Sequence, residues 1–195
     1  MCSPELILFE KETALKIRKS IEPDTPEINS IHIKAFGEEK GPEIAALVRD
    51  LLGDKTAIPL LSLVAIENKK LVGHILYTRA QITRTEEPVS AQLLGPLAVL
   101  PDSQGRGAGG KLIAEGLNQL KEAGVEMVFV LGHPDYYPRY GFEPAGVHGF
   151  EAPYPIPEEC AGAWMVQELC PGLLGRITGK IQCCEAFDRP EHWRE

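Results

Sequence analysis

The chain has 195 residues, of which 44% are hydrophobic and 25% are charged. This length is within the size of one domain that buries a substantial core, so we expect a single domain over residues 1–195. No run approaches the roughly 18 consecutive apolar residues of a membrane span, and we expect no membrane partner. The formal net charge of −8 has no compensating basic block, which argues against a nucleic-acid partner. A cationic amine fits this charge better.

The N-terminal stretch and the cysteines favour a cytoplasmic protein. The segment MCSPELILFEKETALK has a short apolar patch with no basic region before it, unlike a secretory signal. The cysteines form no CxxC pair and no Cys/His spacing suited to zinc, so we expect free thiols and no metal. They are Cys2, Cys160, Cys170, Cys183 and Cys184.

The first part of the chain predicts a strand followed by two helices. Residues 15–21 alternate apolar and polar side chains, as a half-buried strand does. Thr25 is a candidate N-cap for the first helix, and Pro26 would be its first helical residue. Gly37 is placed to end this helix. A second helix then runs from Pro42 to Gly53. The side chains expected to face inward are Ile28, Ile31, Ala35 and Phe36 on the first helix, and Ile44, Leu47, Val48, Leu51 and Leu52 on the second.

The rest of the chain predicts further strands around one helix. Residues 61–82 read as a hairpin around the polar turn ENKK, and 91–100 as a strand that Gly95 and Pro96 interrupt. A helical stripe over 112–123 ends at Gly124 and leads into a buried strand at 125–132, which implies parallel pairing. Proline-broken runs at about 144–150, 163–169 and 176–187 also suggest strands. The expected fold is α+β, or mixed α/β, with one central sheet.

The stretch SQGRGAGGKL at 103–112 matches two phosphate-binding patterns and comes within one residue of another. The dinucleotide pattern GxGxxG expects a strand running straight into the first glycine and repeated βα units, which are missing here. The P-loop pattern requires Ser or Thr where this chain has Leu112. The third pattern is QxxGxG, formed by Gln104, Gly107 and Gly109.

This third pattern carries a family resemblance. LAVLPDSQGRGAGGKL at 97–112, followed by VFVLGHPDYYPRYGF at 128–142, closely resembles the GNAT superfamily of N-acetyltransferases. LGPLAVLP, YYPRYGF and the later APYP are similar to its YhbS-like branch. The resemblance implies a central mixed, mostly antiparallel sheet with splayed strands four and five, flanked by helices. It also implies an acyl-CoA-binding core at about 91–142 and a β-rich C-terminal extension at about 143–195.

The resemblance implies acetyl-CoA as the co-substrate. The backbone of residues 97–99 would pair with the pantetheine arm as an added strand. Residues 104–109 would turn their N–H groups toward the pyrophosphate at a helix N-terminus, where Arg106 and Lys111 could add charge. The expected cofactor-binding residues are Leu97, Ala98, Val99, Gln104, Gly105, Arg106, Gly107, Ala108, Gly109, Gly110 and Lys111.

The catalytic residues follow from the same resemblance. Tyr137 stands four residues before Gly141-Phe142, where GNAT enzymes commonly carry a tyrosine near the CoA sulfur, and we expect it to be the general acid. The fourth strand has no carboxylate, so another group or a water chain must deprotonate the amine. His133 is our candidate, with Asp135 and His74 as alternatives. Glu38, Glu39 and Glu43 lie near the helices that border the acceptor site in this family.

We therefore expect an N-acetyltransferase that moves acetyl from acetyl-CoA directly to a small-molecule or peptide amine in a ternary complex. The terminal segment, with Trp164 and Trp193 as anchors, would shape the acceptor pocket or a homodimer interface. One alternative is a non-catalytic acyl-CoA-binding sensor or interaction module, suggested by the missing carboxylate. A P-loop nucleotide hydrolase is a weaker alternative, because Leu112 cannot bind Mg²⁺.

Overall fold

The computed structural model describes residues 15–85 and 87–193. These residues form a central sheet in the order β1-β2-β3-β4-β5-β8-β6, with β7 and β9 paired to each other and β9 also paired to β3. The predicted mixed fold, with a mostly antiparallel sheet flanked by helices, is confirmed. The helices are α1 (Thr25–Gly53) and α2 (Ala108–Glu122), and the strands are β1 (Lys16–Lys19), β2 (Leu61–Glu67), β3 (Lys70–Thr83), β4 (Ala91–Val99), β5 (Met127–Leu131), β6 (Glu143–Pro144), β7 (Phe150–Glu151), β8 (Trp164–Glu168) and β9 (Gly179–Gln182).

The two predicted helices are the two arms of α1, which changes direction at Gly37. Gly37 has φ 80° and ψ −179°, a conformation that interrupts the helix and favours glycine. The arms meet closely beyond the bend, because a Cβ on Gly41 would lie 2.4 Å from the Ile33 carbonyl oxygen. The predicted helix start at Pro42 is therefore wrong: the backbone is already helical before it, and Gly41 is needed for close packing.

Two other predictions about α1 need correction. Thr25 is the first helical residue and not the N-cap, since its hydroxyl donates to the Glu22 carbonyl (2.8 Å) in the 3-10 turn before the helix. Phe36 is 39% exposed, whereas Ile28 and Ile31 are buried as expected. The bend at Gly37 turns Phe36 away from the core, and this side chain lines a cavity instead.

The β2–β3 hairpin is confirmed, with Asn68 and Lys69 at its turn. Both have positive φ (49° and 64°), as the tight turns of two-residue hairpins require. Helix α2 packs very closely against β3. A Cβ on Gly116 would lie 2.3 Å from the Tyr77 ring, and the Tyr77 hydroxyl donates to the Ile113 carbonyl at 3.2 Å. Gly116 thus brings the helix against the sheet.

The interruption of β4 opens the sheet. Gly95 and Pro96 face the single residue Leu76 of β3, which is a β-bulge, and Gly95 has φ 149°. Before the bulge, residues 91–94 pair in parallel with residues 127–130 of β5, as predicted. After it, residues 97–99 pair with β3 alone among the described strands. Strands four and five therefore splay apart from this point.

The C-terminal extension is less strand-rich than the sequence predicted. The run at 163–169 contains β8, which extends the sheet beside β5. The run at 144–150 is mainly the 3-10 turn Ala145–His148, and only four residues of 176–187 form β9. Prolines and positive-φ glycines break the alternating pattern before longer strands form. Over the described ranges, no helix is both long and apolar enough to cross a membrane.

Candidate active site

Two adjoining cavities open where β4 and β5 separate. The narrower one, of about 480 Å³, runs along the end of β4 and the glycine loop, and we call it the loop cleft. The wider one, of about 710 Å³, lies between α1, β4, the end of β5 and the C-terminal segment, and we call it the wide cavity. Leu97, Gln104 and Tyr136 line both, so the two spaces adjoin at these side chains.

The glycine loop presents backbone N–H groups to the loop cleft. Gly105 and Gly107 have φ of 74° and 84°, and a Cβ on either would meet open space, so these positions need glycine for conformation. The Lys111 N–H donates to the Gly107 carbonyl at 3.0 Å, which starts the ladder of α2. The N–H groups before Lys111 lie in the first turn, where a helix provides them no partner. This arrangement suits an anion.

The next two glycines serve a different purpose. A Cβ on Gly109 would lie 2.4 Å from the Tyr136 hydroxyl oxygen, and one on Gly110 would lie 2.5 Å from that of Tyr140. The tyrosines of YYPRYGF therefore pack directly on the start of α2. Burial, together with a hydrogen bond to Tyr140, raises the pKa of Tyr136 above its usual range, so its hydroxyl stays protonated at neutral pH. The two sequence motifs thus form one wall of the loop cleft.

Most of the predicted cofactor residues line the loop cleft, but three do not. Ala98 is 3% exposed and packs in the core on the α1 side. Arg106 points to Glu67 in an ion pair of 3.4 Å, and Lys111 is exposed beside the cleft. The lining residues among those predicted are Leu97, Val99, Gln104, Gly105, Gly107, Ala108, Gly109 and Gly110.

Sequence reasoning passed over Arg139, which lines the loop cleft together with Ser103. It lies between the tyrosines of YYPRYGF, so the motif that identified Tyr137 could also have drawn attention to this cation.

The Gln104 side chain holds the glycine loop in place. Its amide donates to the Val99 carbonyl at 3.0 Å and fixes the loop to the end of β4.

Tyr137 lies in the wide cavity, at the end of β5. Its ring is 8% exposed and packs edge-on against Tyr136 and Phe142. A Cβ on Gly132 would lie 2.3 Å from that ring, so the glycine at the end of β5 allows Tyr137 to lie across the strand end. His133 lines the same cavity and is exposed, whereas Asp135 is exposed and outside the lining. Tyr137 and His133 therefore line one cavity, and their catalytic roles stay predictions.

His74, an alternative base in the sequence, belongs to a buried polar chain. Its Nδ1 lies 2.8 Å from Nε2 of His32, and its Nε2 lies 2.9 Å from the Ser62 hydroxyl. Ser62 in turn lies 2.5 Å from the Ser20 hydroxyl. Both histidines are fully buried and neither lines the two cavities. His32 lies on the inward face of α1, where the sequence pattern marked only apolar side chains.

The histidine pair predicts a loss of stability in mild acid. Burial lowers the pKa of His32 from 6.5 to about 4, and burial is also the main cause that lowers the pKa of His74. Below pH 6.5 the unfolded chain therefore binds protons that the folded chain does not, which favours unfolding. We expect the free energy of unfolding to fall by about 3 kcal/mol for His32 alone as the pH drops from 6.5 to about 4.

Urea denaturation at several pH values measures this effect. His133→Gln, which removes an exposed histidine, should keep the wild-type slope. A free energy of unfolding that is constant or rises over this interval contradicts the prediction.

The wide cavity has two walls from outside the sheet. Phe36, Ile44 and Leu47 of α1 form one, together with the charged side chains of Lys40 and Glu43. The C-terminal segment forms the other with Phe187, Glu191, His192 and Trp193. Of the three glutamates considered near α1, Glu43 lines the cavity, whereas Glu38 and Glu39 do not.

The described cysteines are free thiols and form no metal cluster. Cys160, Cys170, Cys183 and Cys184 are free, and Cys2 lies outside the described residues. Burial raises the pKa of Cys183 to about 12 and also raises that of Cys184, so neither is a thiolate at neutral pH. Within residues 15–85 and 87–193, no group of three or more His, Cys, Asp or Glu side chains could hold a metal ion.

The comparisons with known proteins agree with this geometry. A family model described as an acetyltransferase (GNAT) domain matches residues 16–145. The chain belongs to the GNAT acetyltransferase family. The predicted enzyme class, an acyltransferase, is confirmed with it, and the alternative of a non-catalytic binding module is not favoured.

Relatives in Escherichia coli K12 cover most of this GNAT chain. It is 47% identical over 163 residues to YjhQ, covering 83% of this chain and 88% of the relative. It is 32% identical over 174 residues to YhbS, covering 89% and 98%. Both relatives are described as uncharacterized N-acetyltransferases. The predicted YhbS-like branch is confirmed.

Solved structures match the whole fold and contain the cofactor. E. coli YhbS in complex with CoA matches with a TM-score of 0.79 and 30% identity, covering 90% of this chain and 92% of that one. A GNAT acetyltransferase from Brucella melitensis in complex with acetyl-CoA matches with a TM-score of 0.70 and 31% identity, covering 90% and 99%. These two relatives bind CoA or acetyl-CoA, which is the co-substrate predicted for this chain.

Proposed function

We propose that this GNAT protein transfers the acetyl group of acetyl-CoA to an amine by direct attack in a ternary complex. The observation that carries the proposal is that the loop cleft and the wide cavity adjoin and share Leu97, Gln104 and Tyr136 in their walls. One space has the anion-binding loop that a pyrophosphate needs, and the other has room for an acceptor beside Tyr137. Acetyl-CoA and the amine would meet where the two spaces join.

The splayed part of β4 would bind the pantetheine arm. Residues 97–99 have a strand partner on the β3 side, and the separation of β5 opens the other side. An extended amide chain pairs there as an added strand would. The N–H groups of 105–109 would bind the pyrophosphate, with the dipole of α2 contributing roughly 0.3–1 kcal/mol. Arg139 would add a charge-assisted contact in the place that the sequence assigned to Arg106 and Lys111.

The transfer needs two proton movements. The amine nitrogen forms a bond with the acetyl carbonyl carbon as the carbon–sulfur bond breaks, and the sulfur accepts a proton. Tyr137 would donate that proton as general acid, and His133, on the same side of the wide cavity, would take the proton from the amine, directly or through one water. The buried His74 is a structural group because it lines neither cavity.

A single substitution tests where the cofactor binds. Gly109→Ala would place a methyl group against the Tyr136 hydroxyl and displace a side chain that both cavities share. We expect the Kd for acetyl-CoA, measured by calorimetry, to rise about tenfold, or roughly 1.4 kcal/mol. Gly53→Ala is the matched control, because a Cβ there meets nothing within 4 Å and the residue lies in the other helix.

The two possible failures of this test are distinct. If the wild-type protein gives no binding heat with acetyl-CoA or CoA, the proposed function is wrong. If it binds acetyl-CoA and Gly109→Ala binds equally well, the cofactor lies elsewhere than in the loop cleft.

A further inference from the structure

The volume and the lining of the wide cavity indicate what kind of acceptor would fit it. Its volume of about 710 Å³ is in the range of pockets that enclose small molecules, roughly 300–1,000 Å³. Its walls are mainly apolar, with Ile44 and Leu47 on one side and Phe187 and Trp193 on the other. A compact apolar body fits these walls better than an extended polypeptide does.

The charged groups of this cavity belong to the outer walls. Glu43 comes from α1 and Glu191 from the 3-10 turn Pro190–Trp193, and both side chains are exposed. His192 experiences the negative charges of Glu191, Glu43 and Asp50 and the positive charge of Arg189. Neither carboxylate forms a salt bridge with any residue in the described part of the chain. Lys40 is the one ammonium among the described lining residues, so the two carboxylates outnumber it. Burial lowers the pKa of His192, which is therefore neutral at neutral pH.

These carboxylates do not suit the nitrogen that reacts. An amine must lose its proton before it attacks the thioester, and two nearby negative charges would hold it in the protonated form. The reacting nitrogen belongs beside Tyr137 and His133, which follow β5, whereas the two carboxylates come from α1 and the C-terminal turn. The carboxylates are suited to a second cation that stays charged.

We propose that the acceptor is a small amine with a second positive charge on an apolar body, in which Glu43 and Glu191 bind the charge that does not react. This proposal rests on the acetyl transfer proposed above. It names a class, the compact diamines and amino-guanidines, and it assigns to the C-terminal segment the role of selecting the acceptor.

Three benzylamines that share the ring and the reacting aminomethyl group differ in the charge at the far end of the ring. p-Xylylenediamine has an aminomethyl group at the far end of the ring, 4-methylbenzylamine has a methyl group there, and 4-(aminomethyl)benzoate has a carboxylate. We expect kcat/KM for acetyl transfer to be roughly tenfold higher for the diamine than for 4-methylbenzylamine, and lowest for the benzoate. Glu43→Gln and Glu191→Gln should each reduce the ratio of kcat/KM for the diamine to kcat/KM for 4-methylbenzylamine about threefold or more.

Glu38→Gln is the control, since it removes a carboxylate of the same helix that does not line the cavity. Its preference for the diamine should equal that of the wild type. Equal rates with the diamine and 4-methylbenzylamine, or an unchanged preference in both cavity variants, would overturn the proposal while leaving acetyl transfer intact.

A binding measurement covers the case in which none of the three amines is acetylated. Calorimetry with p-xylylenediamine and 4-methylbenzylamine on the CoA-saturated protein should show tighter binding of the diamine, which Glu43→Gln and Glu191→Gln weaken. Equal binding, or no binding of the diamine, overturns the proposal. A protein that binds neither CoA nor acetyl-CoA instead refutes the function on which it rests.

Discussion

Tyr137→Phe should lower kcat for acetyl transfer by about 10²-fold or more while the Kd for acetyl-CoA changes by less than about twofold. The substitution removes one oxygen and keeps the ring that packs against Gly132, Tyr136 and Phe142. Proton transfer by a positioned side chain typically contributes 10²–10⁴-fold to a rate, so losing the general acid should act on turnover. Steady-state kinetics with saturating acetyl-CoA, together with calorimetry, measures the two effects separately.

The neighbouring tyrosine gives a sharper comparison than an unrelated residue. Tyr136 has its hydroxyl against Gly109 and lines both cavities, so Tyr136→Phe should act mainly on acetyl-CoA affinity. Tyr154→Phe removes a hydroxyl that donates to Asp188 at 3.0 Å, outside both cavities, and should leave both constants near wild type. Wild-type turnover in Tyr137→Phe would remove Tyr137 from the mechanism.

Trp193→Ala should lower the free energy of unfolding by about 3–5 kcal/mol, the usual cost of truncating a buried tryptophan. Trp193 is 2% exposed, and its indole N–H donates to the Phe187 carbonyl at 2.9 Å. Its ring packs edge-on against Trp164 at 5.7 Å between centroids, and Trp164 stacks on Phe129 of β5. The C-terminal wall of the wide cavity is thereby anchored to the sheet.

Urea denaturation measures this loss. Val147→Ala is the control, because Val147 is 75% exposed and surface substitutions usually change stability by less than about 0.5 kcal/mol. If Trp193→Ala costs as little as the control, the C-terminal segment is not an anchored wall, and its role in selecting the acceptor loses its structural basis.

The features that depend on residues close together in the sequence were the ones predicted best. The hairpin at 61–82, the helix after the glycines and the parallel pairing of 91–94 with 127–130 were all readable from periodicity and turn chemistry. The interruption at Gly95 and Pro96 predicted an irregular strand, and the bulge with its positive φ confirms this.

Features that depend on distant contacts were not predictable in this way. Gly41 and Gly116 look like ordinary glycines until Ile33 and Tyr77 are placed against them. Only the three-dimensional structure distinguishes the roles of the loop glycines. Gly105 is needed for its positive φ, whereas Gly109 is needed because the Tyr136 hydroxyl leaves no room for a Cβ.

The candidate site shows the same division between local and distant information. Tyr137 and the glycine loop follow from linked motifs, whereas Glu191 carries no motif at all. Outside the two cavities, His32 lies on the inward face of α1, where a pattern of apolar side chains does not predict a buried polar residue. Glu191 lines the wide cavity in the same short turn as the buried Trp193.

The central claim is that acyl-CoA binds along β4 and the glycine loop. Amide hydrogen–deuterium exchange with and without saturating CoA tests it most directly, because it reports protection residue by residue. We expect CoA to protect amides in 97–99 and 104–111 and to leave the β2–β3 hairpin turn at Asn68 and Lys69 unchanged. Binding of CoA with no added protection in those two segments, or with protection confined to other parts of the chain, would contradict the account.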